Sequence, residues 1–191
     1  MEFRILGELE VLDDAGQAVE IVGYRRRALV ALLATHANEA VSADRLVDAL
    51  WEDGTPANAT NALQAVVSRV RRALGDTRIV TRTPGYALRA EADEIDVQRF
   101  ERLAAEARRA SADGDLHGAV ATFRAALALW RGAPLAEFTY ARFAQLETTR
   151  LEERRLSVVE ERIEAELALG AHGDLVAELE SLATAYPLRE Q

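Results

Sequence analysis

The hydrophobic pattern of this chain changes near residue 90. Before that point, short alternating stretches typical of strands flank three segments in which apolar residues recur at helical spacing. Beyond it, every apolar stretch has helical spacing. We therefore predict an α+β domain at residues 1–92, followed by an all-α domain at residues 93–191.

The first domain is predicted to begin with a β-hairpin formed by residues 3–11 and 18–21, because both stretches alternate and a turn separates them. Helices are predicted at 25–36, from a Ser42 cap to Trp51, and at 58–74. Strands at 78–82 and 83–88, joined by a Pro-Gly turn, complete the domain. Strands, three helices and a final hairpin are the order of a winged helix-turn-helix.

The net charge of -9 conceals an uneven distribution of arginine and acidic residues. Residues 57–89 contain six arginines and one acidic residue, whereas residues 1–56 contain five and eleven, and residues 90–191 contain twelve and twenty. A basic segment confined to part of an acidic protein suits phosphate binding, since only the face near a duplex must attract it. The positive charge coincides with the third predicted helix and the hairpin that follows.

The third predicted helix has an apolar face and a polar face, and the polar face concentrates asparagine, glutamine and arginine. The paired donors and acceptors of these side chains suit base edges in the major groove. A solvated face would show the same pattern, but the preceding helix and turn and the following hairpin favour DNA recognition. The predicted base-contacting residues are Asn61, Gln64 and Ser68.

Arginines are the predicted phosphate ligands. Three of them open the first helix, where they oppose the helix dipole unless a phosphate binds there, although a solvated charged end is the alternative. Others lie near the end of the third helix, and Arg69 could instead pair with an acidic neighbour. The predicted phosphate ligands are Arg25, Arg26, Arg27, Arg69, Arg71 and Arg72, and the predicted wing contacts are Thr81, Arg82 and Thr83.

In the second domain, helices are predicted at 96–112, 115–130, 143–169 and 173–185. Apolar residues from Leu116 to Leu127 have the spacing of a tetratricopeptide helix pair, and Leu175 to Pro187 repeat part of it. Neither unit has the complete signature, so a plain antiparallel bundle is the alternative. Because repeat arrays normally need about three units, we expect that this domain is truncated at its C-terminus.

Several classes of function are disfavoured. The chain has no cysteine and its three histidines are scattered, which argues against disulfides and a structural metal. Its longest apolar run, residues 28–34, is too short to span a membrane, and no signal peptide is evident, so we expect a cytoplasmic protein. Nucleotide-binding, hydrolase and metalloprotease motifs are missing, and we expect neither enzyme activity nor a cofactor.

Residues 1–89 resemble an OmpR-type winged helix, and the chain is similar to the antibiotic regulatory protein (SARP) family of actinobacterial activators. Residues 96–191 resemble that family's bacterial transcriptional activation domain, which is tetratricopeptide-like. The motifs that carry the resemblance include Gly7-x-Leu9-x-Val11, Leu46-x-x-Ala49-Leu50-Trp51, Leu63-Gln64-x-x-Val67-Ser68-x-Val70-Arg71, Thr83-Pro84-Gly85-Tyr86, Asp96-x-x-Arg99-Phe100 and Leu129-Trp130-Arg131-Gly132-x-Pro134-Leu135.

The resemblance implies a sequence-specific transcription activator that binds promoter direct repeats as a homodimer or side-by-side pair. It also implies recruitment of RNA polymerase holoenzyme through the σ subunit. The chain departs from the family where Tyr24-Arg25-Arg26 replaces the usual Pro-Lys pair. The alternatives are a DNA-binding and interaction fragment of a larger multidomain regulator, and a protein-interaction adaptor, against which the local positive charge argues.

Overall fold

The computed structural model describes residues 1–52 and 54–186. Residues 2–4 pair antiparallel with residues 10–12, and residues 41–42, 85–88 and 79–82 form a second antiparallel sheet in that order. This architecture confirms the predicted fold class, a winged helix-turn-helix followed by an all-helical domain. The elements are β1 (Glu2–Arg4), β2 (Glu10–Leu12), α1 (Tyr24–Thr35), β3 (Val41–Ser42), α2 (Ala43–Leu50), α3 (Ala59–Leu74), β4 (Ile79–Arg82), β5 (Gly85–Leu88), α4 (Asp96–Ala112), α5 (Leu116–Leu127), α6 (Arg142–Ala168) and α7 (His172–Ala185).

α1, α2 and α3 pack on one another, and the β4–β5 hairpin, here called the wing, packs against α1 and α3. α1 lies at the centre of this core, because residues 28–34 are all buried. Ser42 caps α2 by accepting a hydrogen bond from the amide of Arg45 at 3.2 Å, and Asn58 caps α3 by accepting one from the amide of Asn61 at 3.0 Å. α3 buries the apolar stripe predicted from its periodicity, so its polar face points outward.

The N-terminal strands pair differently from the predicted hairpin. β1 pairs with β2, with Phe3 opposite Val11, and residues 18–21 contribute a single bridge, between Ala18 and Leu12. Residues 5–9, predicted as part of a continuous strand, lie outside the sheet. The prediction was wrong here because the backbone groups of Ile5 and Leu6 find partners elsewhere in the chain.

Asp96, at the start of α4, is the first of these partners. One of its carboxylate oxygens accepts hydrogen bonds from the amides of Ile5 and Leu6, each at 2.8 Å, and the residue is only 2% exposed. Burial raises the pKa of Asp96, whereas the two amide hydrogen bonds act in the opposite direction. The carbonyls of Ile5 and Leu6 accept from the amides of Leu135 at 2.9 Å and Arg131 at 2.8 Å. The backbone of this stretch is therefore satisfied without a sheet.

The chain forms two compact units. The first comprises Met1–Glu101 and Leu129–Glu153, and thus combines the winged helix with a segment that the sequence assigned to the helical domain. The second comprises Arg102–Ala128 and Arg154–Gln191. Contacts to Ile5 and Leu6 help to attach the segment 129–153 to the first unit. The domain boundary that the sequence places near residue 92 stays a prediction.

α5 ends at Leu127, three residues before its predicted end at residue 130. Trp130 instead packs edge-on against Phe100, with ring centroids 5.3 Å apart, and the Arg131 amide donates to Leu6. These contacts within the first unit take the residues after α5 out of the helix.

In the second unit, an ion-pair network connects α6 to α5 and α7. Arg162, 8% exposed, pairs with Glu166 at 2.9 Å and with Glu178 on α7. Arg124 on α5 donates to Glu166 at 3.0 Å. Because buried charges are tolerated only when paired, these contacts fix how α7 lies against α6.

Residues 187–191, including the Pro187 of the predicted partial repeat, lie outside the described residues. In the described part of the chain, no helix has the length and apolar character needed to cross a membrane.

We expect Asp96→Ala to destabilise the first unit by about 2–5 kcal/mol, because two buried amides lose their acceptor. Urea unfolding followed by tryptophan fluorescence measures this, since Trp51 and Trp130 both belong to the first unit. Asp76→Ala, in the exposed turn before β4, is the matched control and should change stability by less than about 0.5 kcal/mol. Equal effects of the two substitutions would show that the amides of Ile5 and Leu6 do not depend on Asp96.

Candidate nucleic-acid interface

The outward face of α3 carries all three predicted base-contacting residues. Asn61, Gln64 and Ser68 are exposed. At about 100° per residue, Asn61, Ser68 and Arg72 lie within about 40° of one another around the helix axis, and Gln64 lies about 60° from Asn61. These side chains therefore share one surface that is directed away from the hydrophobic core of the first unit.

Arg71, a predicted phosphate ligand, joins α3 to the wing. Its Nε donates to the carbonyl of Ile79 at 2.8 Å, and a terminal nitrogen donates to the hydroxyl of Thr81 at 3.0 Å. Its guanidinium also lies 5.8 Å from the centroid of the Tyr86 ring, within the range of a cation–π interaction. Arg71 thus positions α3 and the wing relative to each other, a role that the sequence reasoning missed.

The predicted wing contacts, residues 81–83, are exposed at the turn between β4 and β5. Arg82 donates to the carbonyl of Asn38 at 3.0 Å, which ties the wing to the loop before β3. Gly85 pairs so closely with β3 that an added Cβ would lie 2.0 Å from the carbonyl oxygen of Val41. β5 can therefore pair with β3 in this way only with glycine at position 85.

A groove of about 560 Å³ separates the start of α1 from α3. Arg25, Arg26 and Arg69 line it, together with Trp51 and apolar residues of α3. Within residues 1–52 and 54–186, no hydrogen bond or ion pair engages the guanidinium of Arg26 or of Arg69. The first turn of α1 contains no acidic residue. Three cations at the N-terminal end of α1 provide the positive charge that a phosphate requires.

Arg25 is only partly available in this groove, because it packs on the end of α2. Its Nε donates to the carbonyl of Leu50 at 3.1 Å, and its guanidinium lies 5.5 Å from the centroid of the Trp51 ring. Arg25 is nevertheless exposed. The Arg25 side chain is therefore fixed in position, and part of its guanidinium remains accessible.

Arg27, the third predicted phosphate ligand of α1, is turned away from the groove. It donates to both carboxylate oxygens of Glu137 at 2.6–3.0 Å and to the carbonyl of Leu9 at 2.6 Å. This two-pronged ion pair neutralises its charge within the first unit. Glu137 lies in a 3-10 turn, Ala136–Phe138, and nothing in the local sequence identified it as a partner.

Family comparisons agree with this geometry. Residues 17–88 match the family described as Transcriptional regulatory protein, C terminal, and residues 95–191 match the Bacterial transcriptional activator domain. An exposed polar helix beside a wing, combined with an activator domain, defines a winged-helix transcription regulator.

Relatives and a solved structure extend this result. Regulatory protein DnrI of Streptomyces peucetius is 38% identical over all of this chain and 74% of its own length. Regulatory protein AfsR of Streptomyces coelicolor is 35% identical, and transcriptional regulatory protein EmbR of Mycobacterium tuberculosis is 33% identical, with this chain spanning 19% and 50% of their lengths. The structure of M. tuberculosis EmbR with a low-affinity phosphopeptide has a TM-score of 0.93 at 31% identity, over 98% of this chain and 51% of that chain. The chain belongs to the antibiotic regulatory protein (SARP) family of transcriptional regulators.

We expect Arg71→Ala to destabilise the first unit by about 1–3 kcal/mol, because two hydrogen bonds and a cation–π contact between α3 and the wing are lost. Arg71→Lys should recover little of this loss, since an ammonium group cannot reproduce the two directed hydrogen bonds. Arg69→Ala removes a guanidinium of the same helix without a described partner and should leave the melting temperature unchanged. Thermal unfolding of the three variants decides whether Arg71 has this positioning role, which equal melting temperatures would contradict.

Proposed function

We propose that this protein is a sequence-specific transcription activator that places α3 in the major groove of promoter DNA. The observation that carries the proposal is the outward face of α3, on which Asn61, Gln64 and Ser68 are exposed between the wing and the arginine-lined groove. Amide and hydroxyl side chains can read base edges by paired hydrogen bonds. The net charge of the segment 57–89 supports the same orientation.

In this arrangement, phosphates are held on both sides of the recognition helix. Arg25, Arg26 and Arg69 hold a phosphate at the groove beside α1, and Arg72 holds another near the end of α3. Residues 81–83 of the wing contact the backbone or minor groove on the other side. Arg27 and Arg71 act mainly within the protein, since their guanidinium groups are already paired.

We propose further that two copies bind adjacent direct repeats, as a homodimer or side by side, and recruit RNA polymerase through its σ subunit. A surface for such a contact is available in the first unit. Tyr140 and Leu146 are 93% and 84% exposed, the highest values for large apolar side chains among the described residues. Half-buried Phe143 lies between them in sequence. Exposed aromatic and aliphatic side chains at a surface are typical of protein contacts.

Base readers and phosphate ligands should respond differently to substitution. The test compares a duplex selected from random sequences for binding to the wild type with a scrambled duplex. We expect Asn61→Ala and Gln64→Ala to weaken binding to the selected duplex by about 1–3 kcal/mol and to leave binding to the scrambled duplex nearly unchanged. Arg69→Ala should weaken binding to both duplexes and make the slope of log affinity against log salt shallower by about one unit. Titrations at several salt concentrations measure both effects.

The titrations require the full chain, because residues 1–92 alone would lack Asp96 and Glu137. Arg109→Ala, which removes an exposed guanidinium from the part of α4 that belongs to the second unit, is the charge-matched control and should leave the salt slope unchanged. If Asn61→Ala and Gln64→Ala alter neither affinity nor specificity, α3 does not read bases through these residues.

The activation surface can be separated from DNA binding. We expect the double variant Tyr140→Ala, Leu146→Ser to bind DNA as well as the wild type but to lose most activated transcription in vitro, because its apolar contact area is removed. Gln145→Ala, exposed on the same turn of α6, is the control and should activate normally. Full activation by the double variant would place the polymerase contact elsewhere.

A further inference from the structure

One small apolar side chain lies among the polar residues on the outward face of α3. Ala65 is exposed, and it follows Asn61 by one helical turn. Together with Ser68 and Arg72, these residues form a stripe that spans about 60° around the helix axis. Gln64 lies on the wing side of this stripe, and Arg69 lies on the side of the groove beside α1.

Ala65 also lies where the surface of α3 is shallow. It lines the groove beside α1 together with Ala62, which is half-buried. Two alanines one turn of helix apart leave no long side chain between Asn61 and Arg69 on this side of the helix. The helix backbone can therefore approach base edges closely at this point, and a methyl group is what it presents there.

The chemistry of the major groove limits what such a methyl group can contact. Base edges there offer hydrogen-bond donors and acceptors, and their one apolar group is the C5 methyl of thymine. Ala65 has no donor or acceptor in its side chain, so it cannot read a polar edge. An exposed alanine on a solvated helix would need no such explanation, but here it lies within the stripe proposed to face DNA.

We infer that Ala65 is a specificity-determining residue that packs against the C5 methyl group of one thymine in the target site. The inference rests on the proposed function, in which α3 occupies the major groove. It adds an apolar contact to the polar readout by Asn61 and Ser68. A cytosine at the same position lacks the methyl group and would leave Ala65 without a contact.

The test uses the full chain and a site selected from random DNA duplexes. Each thymine of that site is replaced in turn by deoxyuridine, which removes only the C5 methyl. We expect one replacement to weaken wild-type binding about three- to fivefold, the equivalent of burying one methyl group. The same replacement should have no effect on Ala65→Gly. Ala73→Gly, an exposed alanine of α3 about 120° from Asn61, has the same intrinsic helix cost and should retain the full effect.

Ala65→Ser, which lowers helix propensity less than glycine does, provides a second cycle and should also lose the deoxyuridine effect. Two results would overturn the role of Ala65 and leave the proposed function standing, provided that the wild type still binds selectively. In the first, no deoxyuridine replacement weakens wild-type binding. In the second, the replacement weakens binding by both Ala65 variants as much as by the wild type. Failure of the wild type to select any sequence would overturn the proposed function itself, and the inference with it.

Discussion

The buried carboxylate of Asp96 attaches the N-terminal stretch of the winged helix to the start of α4. This group accepts two amide hydrogen bonds from the N-terminal stretch, while the amides of Arg131 and Leu135 donate to the carbonyls of the same residues. The Arg131 guanidinium, 3.9 Å away, adds a favourable charge. Burying a carboxylate costs several kcal/mol unless donors surround it. Because residues 5 and 6 bond both to Asp96 and to the amides of Arg131 and Leu135, the winged helix and residues 129–153 form one unit.

That attachment also determines which charges face outward at the start of α1. Three consecutive arginines have three different environments: Arg25 lies on Trp51, Arg26 has no described partner, and Arg27 pairs with Glu137. The ion pair between Arg27 and Glu137 removes one positive charge from the groove beside α1. A residue in the segment matched by the activator domain thus lowers the positive charge of the winged helix at the start of α1. The unneutralised positive charge at this end of α1 is therefore that of Arg25 and Arg26.

The helices were predictable because their signals are local. Apolar periodicity and the Ser42 cap placed α1–α3 within a residue or two, and the same periodicity identified the outward face of α3. The N-terminal pairing was not predictable, since Asp96 lies 91 residues from Ile5. The roles of Arg27 and Arg71 depend likewise on tertiary partners, which have no signature in the neighbouring sequence. Local patterns therefore showed which residues of the site are exposed, but not which arginines are already paired.

Charge distribution and local contacts together restrict the orientation in which this protein can approach a DNA duplex. Outside residues 57–89 the chain is strongly acidic, so DNA is attracted at one region and repelled by much of the remainder. Such steering acts over about 8 Å at physiological ionic strength, so it operates only as the surfaces approach contact. At that stage Arg71 has already fixed the wing against α3, and the two elements present one preorganised surface. Added salt weakens attraction and repulsion alike, so in the proposed complex the orientation at high salt depends on the short-range contacts of α3.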